Sequence, residues 1–417
     1  MRVFKFGGAS VKDAEGVQNL IKVLQKVGHA DTIIIVSAMG KMTNALEAVV
    51  ENYLNKNSEF GDSLELIKTY HFRILEDLFN NIQHPVFEKV TSLISDLETM
   101  LKRNKSARYD YVYDQTVSYG ELISTTIVSE YLSEKGYANT LLDARDVIKT
   151  NDHYRDATVD WEKTQQLIGN KAIKKGLTIT QGFIGSDSNN FTTTLGREGS
   201  DYTAGIFAYC TNATSVTIWK DVPGVLNGDP RVFQNTELLS QISYEEAIEL
   251  AFYGASVIHP KTLQPLQRKE IPLFVKSFVN PKNEGTSVRK GQSLVPHMPC
   301  FIVKKNQILL SLSSLDFSFI VEENISEIFS LFHQYHLKVD LIQNSAISFS
   351  VCLDDKFHNF DQLLVHLKAK FRVRYEKNVS LFTIRHFTSN AIEFLEDNMD
   401  ILLKQSTKET YQMVAKQ

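Results

Sequence analysis

The run TIIIVSA at residues 32–38 is apolar and β-branched without alternation, so it leaves no face for water and demands a strand covered on both sides. Upstream, VFKF at 3–6 reads as a strand, GGAS at 7–10 as a turn and residues 13–27 as a helix, which makes the opening a strand, a helix and a parallel strand. The alternation resumes further along. YGELISTTIVSEYLSEKG predicts a helix ending near Gly136, ANTLLDARDVI a strand, WEKTQQLIGNKAIKKG a helix and LTITQGFIGSD a strand with its loop. A hairpin-like turn (SDSNNFTTT), a glycine loop (LGREGSD), a helix (YTAGIFAYCTN) and a strand (SVTIWKD) follow. Such alternation specifies an α/β fold, a mostly parallel sheet sandwiched by helices, with chemistry gathered at the carboxyl ends of the strands. Residues 44–116 interrupt it with apolar residues at three- and four-residue spacing, which predicts an all-helical insertion.

Residues 281–298 lose periodicity and collect Pro, Gly, Asn and charge, a linker composition that puts a domain boundary between a region 1–290 and a region 299–417. The latter reads βαββαβ over about 70 residues, then a shortened copy, βαββ. The short copy lacks a helix and a strand. The strand-like CFIVKK at 300–305 can supply the strand, and a second subunit can cover what stays open. Composition narrows the partners. With 45 Lys+Arg against 49 Asp+Glu the net charge is −4, so no general basic field draws nucleic acid, and no stretch is apolar enough to cross a membrane. Three scattered cysteines, Cys210, Cys300 and Cys352, form neither a disulfide framework nor a zinc site, and a reducing cytoplasm is the expected location.

Lys5, Gly7, Gly8 and Ser10 lie between the first strand and the first helix, where free backbone N–H groups make an anion site and a lysine meets phosphate. The pattern is not GxxxxGK[ST], so a P-loop is disfavoured. The stretch 192–231 is the densest candidate: Arg197 offers a planar fork for a carboxylate, Asp201 can cap a helix and orient lysines, and Asp221 stands before two turns. Each also has a plain reading, as a Gly-Gly turn with a surface lysine, a helix cap, or consecutive turns in DVPGVLNGDP. Ser37, Thr43 and Glu121 are individually unremarkable. His259 has no partnered Ser or Cys motif and reads as structural, and the other histidines lack metal-ligand spacing, so no protein metal site is expected.

Taken together, KFGGASV at 5–11, VSAMGKMTNAL at 36–46, SYGELIST at 118–125, TQGFIG at 180–185, TTLGREGSDYTA at 193–204, WKDVPGV at 219–225, DPRV at 229–232 and GASVIHP at 254–260 resemble the aspartate kinase family, in order, over nearly all of residues 1–290. The resemblance implies the amino acid kinase fold followed by tandem ACT modules. It implies transfer of the ATP γ-phosphoryl group, with Mg²⁺ carried by the triphosphate, to the side chain of L-aspartate, the first step toward lysine, threonine and methionine. By similarity Lys5 and Asp201 are catalytic. Ser37, Thr43, Glu121, Arg197 and the backbone near Phe183 take aspartate, with Arg197 on the α-carboxylate and Glu121 on the α-ammonium. Lys5, Gly7, Gly8, Ser200, Lys220, Asp221 and Arg231 fall to the nucleotide, and Asp340, Asn344 and Ser345 to an effector amino acid. A homodimer through the ACT region is implied as well. The chain departs from the family at Ser256, where many relatives have a phosphate-binding Lys whose charge Lys220 or Lys261 could replace. It departs also at Glu198 for a glycine, at Leu226 for an aromatic, and in LDFSFIVEENIS, which lacks the usual glycine. Two other readings are a non-catalytic ACT-type amino acid sensor and a kinase of the same fold acting on another small amino acid.

Overall fold

Strand β1 (Arg2–Phe6) is almost wholly buried and lies between β2 (Thr32–Val36) and a later strand, parallel to both, as an apolar β-branched core requires. In the computed structural model, which describes residues 1–56, 60–170, 176–255, 258–316, 318–397 and 399–416, the chain divides into two units. After β1 come a short 3₁₀ turn (Gly8–Val11), α1 (Ala14–Val27), β2, α2 (Met42–Leu54), α3 (Phe60–Leu78), α4 (Pro85–Arg103) and α5 (Tyr109–Glu134). Next are β3 (Asn139–Leu142), α6 (Ala144–Val147), α7 (Trp161–Asn170), β4 (Leu177–Gln181), β5 (Ile184–Ser186), β6 (Thr192–Thr194), α8 (Gly199–Thr211) and β7 (Ser215–Lys220). Then β8 (Gln241–Ser243), α9 (Tyr244–Tyr253), α10 (Pro260–Arg268), β9 (Leu273–Ser277) and β10 (Thr286–Arg289) complete an eight-stranded sheet of order β3-β4-β2-β1-β7-β9-β10-β8. All its pairs are parallel except β9 with β10.

Three details of the first unit differ from the sequence expectation. The last helix of the insertion does not stop at 116: α5 is a single helix of 26 residues that runs from the insertion into the resumed alternation, its middle buried on all sides. The strand expected through 148 stops at Leu142, because the Asp143 carboxylate accepts the Arg145 N–H at 2.9 Å and caps α6. The linker composition at 281–298 hides β10, whose Thr286 hydroxyl donates to Leu239 O at 2.6 Å and accepts from Val225 N–H at 2.8 Å. The first unit therefore runs to Pro296, while Leu226–Glu237 and Glu249–Ser256 group with the second.

The second unit has β11 (Cys300–Ser313), α11 (Glu322–Gln334), β12 (Lys338–Asn344), β13 (Ser348–Asp354), α12 (Phe360–Lys368), β14 (Arg372–Arg385), α13 (Ser389–Glu396), β15 (Asp400–Ser406) and β16 (Thr410–Lys416). They form an antiparallel sheet of order β12-β13-β11-β14-β16-β15. RVRYEK and VSLFTIRH, two strands in the sequence reading, are one continuous strand, β14. Its first half pairs with Gln307–Ser313 and its second with Cys300–Lys304, so two long strands serve both modules. The first module buries its core under α11 and α12. The second has only α13, and beside it Val232 and Phe233 of the Leu226–Glu237 segment pack on Phe301, Phe382 and Ile384 in place of a second helix. Among the described residues no helix is long and apolar enough to cross a membrane.

Candidate active site

The order β4-β2-β1-β7 and the register Phe6↔Val36, Phe6↔Trp219 and Val36↔Gln181 align four strand ends. Lys5 with Gly7 and Gly8, then Ser37, Phe183 and Lys220, thus issue from one edge, as the topology of a parallel sheet dictates. Gly8 is required there: a Cβ would stand 2.7 Å from Ala38 O, and the Gly40 N–H donates to Gly8 O at 3.0 Å. The insertion closes on this loop, since the Tyr70 hydroxyl of α3 donates to Lys12 O.

Lys5, 8% exposed, places Nζ 2.7 Å from Asp201 Oδ1, and Lys220 Nζ lies 3.8 Å from Oδ2. Burial alone would push the Asp201 carboxyl up; the two lysines outweigh it and keep the group below its ordinary value. Asp201 is the third residue of α8 rather than its cap. The cap position belongs to Glu198, a left-handed residue with φ 53°, whose Oε2 is buried without a hydrogen bond. Burial and then Asp201 push the Glu198 carboxyl up. Ser200 packs on Gly182, where a Cβ would come within 2.5 Å of it.

On the other flank Glu121 projects from α5, 2% exposed. Its Oε1 accepts the Ala38 N–H at 3.1 Å, Oε2 has no partner, and burial pushes the carboxyl up to about 8. Ser37 accepts at its carbonyl from the Ser124 hydroxyl at 2.8 Å, and Thr43 lies in the first turn of α2. Phe183 has φ 71°, and its N–H donates to Thr203 Oγ1 at 2.9 Å. Arg197 is exposed. Asp114, also on α5, is wholly buried and accepts from Thr194 N–H (2.7 Å), Thr194 Oγ1 (2.8 Å) and Arg155 N–H (3.0 Å); burial still pushes its carboxyl up to about 7.

Asp221 is exposed beside Lys220. Arg231 belongs to the second unit and pairs with Asp229 at 2.7 Å, two residues away. Lys261 pairs with Asp156, and the His259 Nδ1 accepts the Lys261 N–H at 3.2 Å as the cap of α10, a structural role. Ser256 lies outside the described residues. In the second unit Asp340 is engaged by Lys304 (2.8 Å) and Lys338 (3.1 Å), while Asn344 and Ser345 are exposed at the end of β12. The sequence reading missed Asp114 and Thr203. An acid two turns before Glu121 on the same helix face was the available signal for the first; a threonine inside a helix offered none for the second.

The sequence pattern of the amino acid kinase family matches residues 1–277. The chain is 34% identical to the lysine-sensitive aspartokinase 3 of Escherichia coli (strain K12), over 92% of this chain and 86% of that one. It is 30% identical to an aspartokinase of Chlamydia pneumoniae, over 92% and 84%. The fold superposes on E. coli aspartokinase III in complex with aspartate and ADP with a TM-score of 0.83 and 30% identity, covering 100% of this chain and 96% of the other.

Proposed function

Since the chain belongs to the amino acid kinase family, and within it to the aspartokinases, we propose that it transfers the γ-phosphoryl group of ATP to the side-chain carboxylate of L-aspartate. A carboxylate oxygen attacks the γ-phosphorus, the bond to the β–γ bridging oxygen breaks, its electron pair leaves with ADP, and 4-phospho-L-aspartate forms. With a pKa near ~4 the acceptor is already ionised at neutral pH, so alignment and charge neutralisation suffice and no general base is needed.

The observation that carries the reading is Glu121: a buried carboxyl group with one oxygen held by a backbone N–H and the other without a partner, whose ionised form burial disfavours until a cation pairs with it. Such a group awaits a cation. An α-ammonium supplies it, and the free fork of Arg197 then takes the α-carboxylate. Lys5, held by Asp201, neutralises charge developing on the transferred phosphoryl group, with the Gly7 and Gly8 amides beside it. Ser37, Thr43 and the Phe183 backbone complete the aspartate site; Ser200, Lys220 and Asp221 serve the nucleotide, whose Mg²⁺ arrives with it as part of the substrate. Lys220, at Asp201, is the cation that offsets Ser256. The second unit is read as a pair of ACT modules through which two copies associate, with Asp340, Asn344 and Ser345 on the effector side; the working compartment is the cytoplasm.

The test is an acyl-hydroxamate assay with purified protein, MgATP, hydroxylamine and either aspartate or glutamate. Aspartate-dependent hydroxamate is expected, and Lys5→Ala should reduce it about a hundredfold. No product from aspartate, or full activity without Lys5, would overturn the reading.

A further inference from the structure

Arg197 is exposed, and it sits on a turn with unusual backbone on both sides, Gly196 at φ 79° and Glu198 at φ 53°. A long side chain on such a turn reads a carboxylate only if its backbone is held. The restraint comes from Asp114. One carboxylate gathers the Thr194 N–H and hydroxyl, three residues before Arg197, and the Arg155 N–H from the neighbouring loop. The two segments are then tied to each other, since the Ala157 N–H donates to Thr194 O at 2.9 Å. They meet again at Gly196, where a Cβ would stand 2.5 Å from Asp156 Oδ1 and 3.3 Å from Arg155 O. Leu195, fully buried between these points, donates its N–H to Phe183 O at 2.9 Å.

We infer that Asp114 is a positioning residue for the aspartate site: it clasps strand β6 and the Arg155 loop so that Arg197 is presented at a fixed distance from Glu121. The geometry of α5 gives the clasp its meaning. Asp114 and Glu121 are seven residues apart, two turns and about 10 Å along one face of a single rigid helix. The same helix therefore carries the group for the α-ammonium directly and sets the group for the α-carboxylate through Thr194. The inference rests on the aspartate reading of Arg197, and the experiment separates the two.

Steady-state kinetics on the full chain, varying aspartate and MgATP independently, is the measurement. Asp114→Ala should raise the aspartate KM about tenfold, the worth of hydrogen bonds to a charged group, with kcat and the ATP KM changed less than about twofold. Asp114→Asn should restore most of the loss, because its single oxygen can accept both N–H groups while its amide donates to a reoriented Thr194 hydroxyl. In an Arg197→Ala background, Asp114→Ala should add nothing further to the aspartate KM. Should Asp114→Ala not fold, Thr194→Val, which removes one donor and keeps the shape, carries the same prediction with a smaller rise in aspartate KM alone. Equal losses in kcat and in both KM values, full additivity with Arg197→Ala, or an Asn variant as impaired as the Ala variant would overturn the inference. An Arg197→Ala enzyme with an unchanged aspartate KM would instead sink the reading of Arg197 itself.

Discussion

Glu198 combines two costs at one position. Its backbone is left-handed, at φ 53° and ψ 28°, and its carboxylate is buried next to Asp201 with one oxygen unpartnered. A non-glycine residue in that region costs about 1 kcal/mol, and the carboxylate also subtracts from the positive charge of Lys5 and Lys220, which the proposed function assigns to a triphosphate. Glu198→Gly should therefore raise stability by about 1 kcal/mol and lower the ATP KM. Thermal denaturation together with ATP titration of the rate checks both; a less stable variant with weaker ATP use would mean that the Glu198 side chain makes a contact the enzyme needs. Lys5 and Asp201 show the opposite economy, each burying a charge that the other stabilises.

At the scale of the element, α3 contains a group that links the insertion to acid stability. His71 is fully buried; its Nδ1–H donates to Ile67 O at 2.7 Å, Nε2 has no partner, and burial pushes its pKa down from 6.5 to about 4. As pH falls from 6.5 the unfolded chain binds a proton that the folded chain refuses, so the stability fully present above 6.5 is lost progressively down to about 4. Asp114 and Glu121, pushed up to about 7 and about 8, titrate in the opposite sense, so only a comparison with a variant isolates the histidine. Between pH 7 and pH 5 the native chain should lose about 2 kcal/mol relative to His71→Leu in urea denaturation. Parallel pH profiles for the two proteins would show that His71 is protonated without cost. Tyr70, the next residue, ties α3 to Lys12 O, so loosening of this helix in acid reaches the loop at Gly7 and Gly8.

For the whole molecule, the second unit carries the exposed apolar side chains on which the proposed pairing of two copies rests. Its sheet ends at β12 and β15, which approach each other where the Gln343 side chain donates to Lys404 O at 3.1 Å. Next to β12, the Ile320 N–H donates to Ala346 O at 3.0 Å and draws the loop before α11 against the β12–β13 turn. Phe319 (70% exposed), Leu315 (57%), Ile342 (45%) and Ile347 (42%) are exposed apolar side chains on this loop, on β12 and on the turn. Light scattering at low micromolar concentration should give twice the chain mass, and Phe319→Glu with Ile342→Glu should give the single-chain mass. A fully active species of single-chain mass in the unsubstituted protein would end the proposal that this region assembles the enzyme.

What the sequence determined by itself was local or periodic. The β-branched run at 32–38, the glycines at 7 and 8 and the helical spacing of the insertion each specify their structure within a few residues, so the parallel sheet and the placement of Lys5, Ser37 and Lys220 at strand ends were legible. So was the lysine–aspartate partnership of Lys5 and Asp201, through ordered motifs rather than through any single residue. Tertiary structure decided what depends on partners remote in the chain. β10 is a strand because β8 and β9 pair with its backbone, while Leu239 and Val225 satisfy its Thr286 hydroxyl, although its own composition is that of a linker. The missing helix of the second module is replaced by Val232 and Phe233, which no local pattern assigns to that core. Asp114 is a buried acid whose acceptors are filled by backbone donors at 155 and 194; in the sequence it is one more charge on a helix, because hydrogen-bond satisfaction is a property of the folded neighbourhood and not of spacing along the chain.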